Sequence, residues 1–156
     1  MNTAELHTPE QPCAELETGR LRIQTRFGEF ESDPRNVLHF PVGLPGFEQC
    51  RRFVILSSIT MAPVQCLHAV DGPPASFLVV DPRVVLPEYR CILSNPDKER
   101  LGVTDDAPLL WFAIVTVQED QSSSVNLRAP IVINPARMMG FQVLPYDSLY
   151  PVKFQL

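Results

Sequence analysis

The sequence predicts a mainly β protein, an antiparallel barrel-like fold with one or two short helices. Three observations carry that expectation. First, 16 prolines are spread along 156 residues. Each fixes φ and removes a backbone donor, so few windows can hold a long helix. Second, short runs that read as strands recur at roughly even spacing, about eight to ten in all, as in antiparallel barrels and sandwiches. Third, Leu109 to Val117 is apolar at odd and even positions alike. Such a strand needs cover on both faces, which a barrel wall with a covered exterior supplies.

The elements follow in order along the chain. Leu21 to Phe27 alternates apolar and polar residues, the period of a half-buried strand. Gly28 makes a turn before Glu29–Glu31. Val37–Phe40 is a short strand stopped by Pro41, and Pro41 to Gly46 is a loop punctuated by Pro and Gly. Phe47 to Arg52 suits one helical turn. Phe53–Leu56, Val64–Val70 and Ser76–Val80 read as strands, separated by a connection and by the turn Asp71–Pro74. Tyr89–Leu93 reads as another strand.

Asn95 to Leu101 is the best helix, with Asn95 as N-cap, Pro96 at the first helical position and Gly102 as stop. In Leu109–Val117, the Trp, Phe, Ile and Val residues favour strand over helix. Ala129–Ile133 and Gly140–Leu144 pair as a hairpin across Asn134–Met139. Tyr150–Leu156 adds a last strand.

Residues 1–19 form a different segment. They hold four acids, Glu5, Glu10, Glu15 and Glu17, with no Lys or Arg, and include Pro9 and Pro12. Such a stretch buries too little apolar surface to fold alone. It is expected to be a disordered acidic tail before a single domain over 20–156. The body then has 14 acids against 13 bases and is near neutral, within an overall formal charge of −5. That balance lacks the cationic footprint of a nucleic-acid binder. No apolar run approaches the ~20 residues of a membrane span, and no basic-then-apolar leader opens the chain. A cytoplasmic location is expected.

Chemistry is sparse. The four cysteines, Cys13, Cys50, Cys66 and Cys91, form no C-x-x-C pair and are expected to be reduced thiols. His7, His39 and His68 do not recur at zinc-ligand spacing, so neither metal nor cofactor is expected. No nucleophile elbow, phosphate-binding glycine loop or H-E-x-x-H is present. Cys66, His68 and Asp71 lie close together and support one alternative, a small-ligand-binding β-barrel or an enzyme using Cys66 and His68. Arg51-Arg52 reads as a solvated pair and Asp105-Asp106 as loop chemistry.

Two segments carry more than polarity. In Phe40-Pro41-Val42-Gly43-Leu44-Pro45-Gly46-Phe47-Glu48, two prolines stiffen a loop bearing two rings and a Leu. The rings either plug the barrel end or form a preformed surface that docks a partner at low ordering cost. In Ser124 to Asn134, Asn126 and Asn134 flank a buried strand. There they either satisfy backbone groups or mark an edge at Pro130 that accepts an added strand.

These segments resemble the flagellar assembly factor FliW family. The family's Phe-Pro-x-Gly-(Leu/Ile)-Pro-Gly-Phe-Glu loop matches Phe40 to Glu48. Its Val-Val-Asp-Pro run matches Val79 to Pro82, and the following Pro-x-Tyr matches Pro87 to Tyr89. Its Asn-Leu-x-Ala-Pro-Ile-Val-Ile-Asn stretch matches Asn126 to Asn134, with Gln142 soon after. The resemblance implies a non-enzymatic binding protein, and a monomer is expected. Its partners would be flagellin and the RNA-binding regulator CsrA, with no direct contact to nucleic acid or membrane. By antagonising CsrA it would relieve repression of flagellin mRNA translation. The expected partner-binding residues are Phe40, Leu44, Gly46, Phe47, Glu48, Asn126, Asn134 and Gln142.

Overall fold

The computed structural model of the chain describes residues 14–17, 19–104, 107–145 and 148–156. The readings made for residues 1–13 and for Asp105-Asp106 lie outside the described residues. Twelve strands and two short helices are found among those described.

β1 (Ala14–Glu17), β2 (Arg20–Thr25) and β3 (Gly28–Ser32) form a three-stranded antiparallel sheet. β1 lies within the stretch read as tail. Gly19, at φ +79°, turns the chain so that Ala14 pairs opposite Ile23. Glycine takes this left-handed conformation without a Cβ clash.

The second sheet contains β4 (Leu38–His39), β5 (Arg52–Leu56), β6 (Gln65–Ala69), β7 (Ser76–Val80) and β8 (Leu110–Val117). It continues with β9 (Ser123–Val125), β10 (Ile131–Asn134), β11 (Met139–Gln142) and β12 (Phe154–Gln155). Its order is β10-β11-β4-β5-β6-β7-β8-β9-β12, and β10 pairs a second time, with β8. That second pairing, Ile131 opposite Phe112, closes seven strands into a ring. The ring is antiparallel except where β11 meets β4 in parallel at Met139 and His39. The mainly β expectation holds, with one parallel joint added.

The two-sided strand has the cover it requires. Phe112 and Ile114 of β8 join the cluster inside the ring, with Phe40, Phe53, Leu67 and Ile131. Ala113 and Val115 face outward to Tyr89, Leu127 and Phe154. Trp111 meets Leu101, Val132 and Phe141 on another outer patch. A third outer patch, with Val54, Leu56 and Cys66, packs beneath Ile23 and Phe30 of the three-stranded sheet. Each fully buried aliphatic or Phe side chain stabilises the fold by about 1.5–3 kcal/mol.

Several local expectations change. Tyr89–Leu93 joins no strand. Its alternation is real, since Tyr89 and Leu93 are buried while Arg90 and Ile92 are exposed. The segment lies on the outer wall, where the Tyr89 hydroxyl donates to Leu127 O at 2.8 Å. Packing therefore produced the strand-like period without a ladder. Phe47–Arg52 forms consecutive turns instead of a helix, with Phe47 N donating to Leu44 O and Cys50 N to Phe47 O.

A one-turn helix, α1 (Pro82–Val85), was not foreseen. Its signal was Asp81-Pro82: the Asp81 carboxylate accepts from Arg83 N, and Pro stands in the first turn. α2 (Asn95–Leu101) matches its expected span, yet its cap is Ser94, whose Oγ accepts from Asp97 N. Gly102 ends it at φ +66°.

Candidate functional site

The Phe40–Glu48 loop divides between interior and surface. Phe40 and Leu44 are buried. Phe40 stacks obliquely on Phe53, with ring centroids 4.9 Å apart. The loop is tightly wound at Gly43, at φ +65°, where a Cβ would come within 2.7 Å of Phe47 O. Gly46 and Glu48 lie on the outside, and Gly46 N donates to the Glu48 carboxylate at 2.9 Å. That bond holds the Glu48 carboxyl below its ordinary pKa. Val42 is exposed. Phe47 is 39% exposed, its ring perpendicular to that of Phe77.

Phe47 stands at the edge of an open cleft of about 1430 Å³. One wall is β2 and the turn after it, through Arg22, Gln24 and Arg26; the other is β7 and β8, through Ser76, Phe77 and Thr116. The cleft exists because the β7–β8 ladder stops at Leu78 opposite Val115. Ser76 and Phe77 of β7, and Thr116 and Val117 of β8, lie beyond that last pair. Among the described residues lining the cleft, the carboxylates are absent and two arginines are present. Arg22 is ion-paired with Glu29. The Arg26 guanidinium lies 4.8 Å from the Phe27 ring centre and donates to Ser76 O at 3.4 Å. The surface is thus mixed, with aromatic and aliphatic area beside cationic groups.

The second segment is structural in its contacts. Between β9 and β10 the chain leaves the ladder at Asn126, whose N–H donates to Ile114 O. The Asn126 side-chain oxygen accepts from Arg128 N and Ala129 N, both at 3.1 Å. Gln142 donates from its amide to Ala129 O at 3.0 Å. Asn134 is buried; its amide donates to Leu101 O at 2.8 Å and its oxygen accepts from Ala136 N. These three side chains hold the backbone where the ring changes partner. Of the eight residues expected to bind partners, Gly46, Phe47 and Glu48 are outside, whereas Phe40, Leu44 and Asn134 are enclosed.

Cys66 and His68 lie on one face of β6 and are buried. Burial pushes the Cys66 thiol up, opposite to what a thiolate nucleophile needs. His68 Nδ1 and Ser76 Oγ share a hydrogen bond of 2.6 Å. Among the described residues no group of three His, Cys, Asp or Glu side chains is placed to hold a metal ion, and no helix is long and apolar enough to cross a membrane.

Sequence reasoning missed Arg22, Arg26, Phe77 and Thr116 as cleft residues. They come from strands far apart in the chain, and only the splayed β7–β8 joint brings them together.

The ring, its covered outer wall and this surface cleft define a mainly β domain with an open trough between β2 and the β7–β8 joint. The chain belongs to the FliW family: the family model described as FliW protein matches residues 22–156. It is 33% identical over 134 residues to the flagellar assembly factor FliW of Syntrophotalea carbinolica, covering 86% of this chain and 96% of that protein. It is 34% identical over 136 residues to the one from Moorella thermoacetica, covering 86% of each. A crystal structure of the flagellar assembly factor FliW superposes with a TM-score of 0.77 at 30% identity, covering 86% of this chain and 95% of that one.

Proposed function

We propose that this protein is a cytoplasmic, non-catalytic factor that binds flagellin and antagonises the translational regulator CsrA by protein–protein contact. Flagellin and CsrA compete for it, so the level of free flagellin feeds back on its own translation. Membership of the FliW family supports this reading. The near-neutral body agrees with it, because direct RNA binding would call for a basic face. The observation that carries it is the open cleft ending at Phe47. It combines exposed aromatic area with Arg22 and Arg26, the composition of a protein-docking surface rather than of a reaction centre. The protonated, enclosed Cys66 argues against the enzyme alternative.

Calorimetry with purified flagellin and with CsrA tests the proposal. Binding of both at micromolar concentration or tighter is expected, each excluding the other. Absence of binding to either partner at that concentration rejects it. Phe47→Ala is expected to weaken at least one complex while leaving the fold intact.

A further inference from the structure

We infer that the open edge of β8 at Val117 takes an extended segment of a partner polypeptide as an added strand, and that the cleft selects a segment whose side chains alternate apolar and acidic. The inference rests on the cleft being a docking surface, as proposed above, and adds how a partner is held there.

The first argument is the phase of the ladder. Gln118 N donates to Ser122 O and Asn126 N to Ile114 O, and bonded pairs alternate along an antiparallel ladder. Ile114, Thr116 and Gln118 therefore turn their backbone groups toward β9, while Val115 and Val117 turn theirs toward β7. Val115 meets Leu78 there, in the last pair between the two strands. The next rung would join Val117 to Ser76, but Ser76 O accepts from the Arg26 guanidinium instead. The Val117 N–H and C=O thus face the cleft without a ladder partner, on an exposed residue. Such an edge is a template for another strand.

The second argument is what lies on either side of that edge. An added strand sends successive side chains to opposite faces of the sheet. Toward the inner face lie Phe77 and Ile114, packed against the cluster inside the ring, with the Phe47 ring against Phe77. Toward the outer face lies β2, which crosses the outside of the wall at Ile23 and brings Arg22 and, in the turn after it, Arg26 to the cleft. The residues lining the cleft, among those described, include no carboxylate. Arg22 is paired with Glu29 and Arg26 is exposed, so charge selects among segments, while the backbone edge and the rings hold them. A segment with apolar residues on one face and Asp or Glu on the other suits both sides; a basic one does not.

The short acetylated and amidated peptide Val-Glu-Val-Asp-Val tests this on the full-length chain. At saturating peptide, hydrogen exchange of the Val117 amide should slow by about tenfold or more, with the Thr116 amide, already turned to β9, unchanged. N-methylation of every peptide residue should weaken binding by about tenfold or more, because it removes the donors a ladder needs. Val-Lys-Val-Lys-Val should bind more weakly than the acidic peptide at low salt, with the gap narrowing at high salt. No binding at millimolar peptide, binding without slowed exchange at Val117, or equal binding of the N-methylated peptide would overturn strand addition. Equal binding of the lysine peptide at low salt would overturn the acidic preference. Calorimetry with flagellin and CsrA on the same sample separates the two readings. If those proteins bind and the peptide does not, strand addition alone fails; if none binds, the docking reading fails with it.

Discussion

The rings of Phe47 and Phe77 stand perpendicular with centroids 4.9 Å apart, so the exposed part of the loop touches β7 through an edge-to-face aromatic contact. This contact separates two roles within one loop. Phe47→Ala removes an aromatic pair at a partly exposed site and is expected to cost about 1 kcal/mol. Phe40→Ala empties a site inside the ring and is expected to cost about 3–5 kcal/mol. Urea titrations of the two variants check this. Equal losses would mean that Phe47 is as structural as Phe40.

Gly140 is fitted to Phe40. A Cβ built at Gly140 would lie 2.6 Å from Phe40 Cζ, inside any tolerable contact. Gly140→Ala should destabilise by about 1–3 kcal/mol through overpacking. Combining it with Phe40→Leu should recover part of the loss, because the two changes share one space. Additive losses in thermal melts would show that the clash is relieved elsewhere.

Asn134 ties β10 to the end of α2. Asn134→Ala leaves Leu101 O without this donor and Ala136 N without its acceptor. The expected cost is about 1–3 kcal/mol. Hydrogen exchange should show the loss first in α2, with Lys98 to Leu101 amides exchanging faster than those of β6. Uniform acceleration across the domain would mean that Asn134 supports the ring as a whole.

Thiol chemistry should follow burial. Cys91 is half-buried, whereas Cys50 and Cys66 are enclosed. Among these three, Ellman's reagent should modify Cys91 first, and the other two only at the rate of opening. The Cys66 thiol is raised in the folded state above its ordinary value of 9.0. Its contribution to stability is therefore complete below that value and is lost as pH rises through the folded one. Urea midpoints should fall as pH passes upward through the ordinary thiol range, and less so in Cys66→Val. An unchanged slope in that variant would assign the decline to other groups.

Much of this architecture was legible in the chain. Alternation in Leu21–Thr25, Pro and Gly punctuation around Phe40–Glu48, and the two-sided run ending at Val117 are local patterns, and local pattern determines which face of a strand is apolar. The helix Asn95–Leu101 was legible for the same reason, although its cap moved one residue to Ser94. Tyr89–Leu93 misled because alternation reports burial on one side, and an extended segment lying on a wall buries one side as a strand does.

What the sequence by itself determined is the inventory: short β elements, a near-neutral body, the absence of familiar catalytic motifs, and the segments that mark the FliW family. The tertiary structure alone decided which elements pair. The second pairing of β10 with β8, the early end of the β7–β8 ladder and the cleft beside Phe47 all join residues distant along the chain. Side-chain periodicity sets the face a residue occupies, but partner choice depends on how whole surfaces fit. That is why Asn134 serves a buried carbonyl and Arg26 faces an open trough.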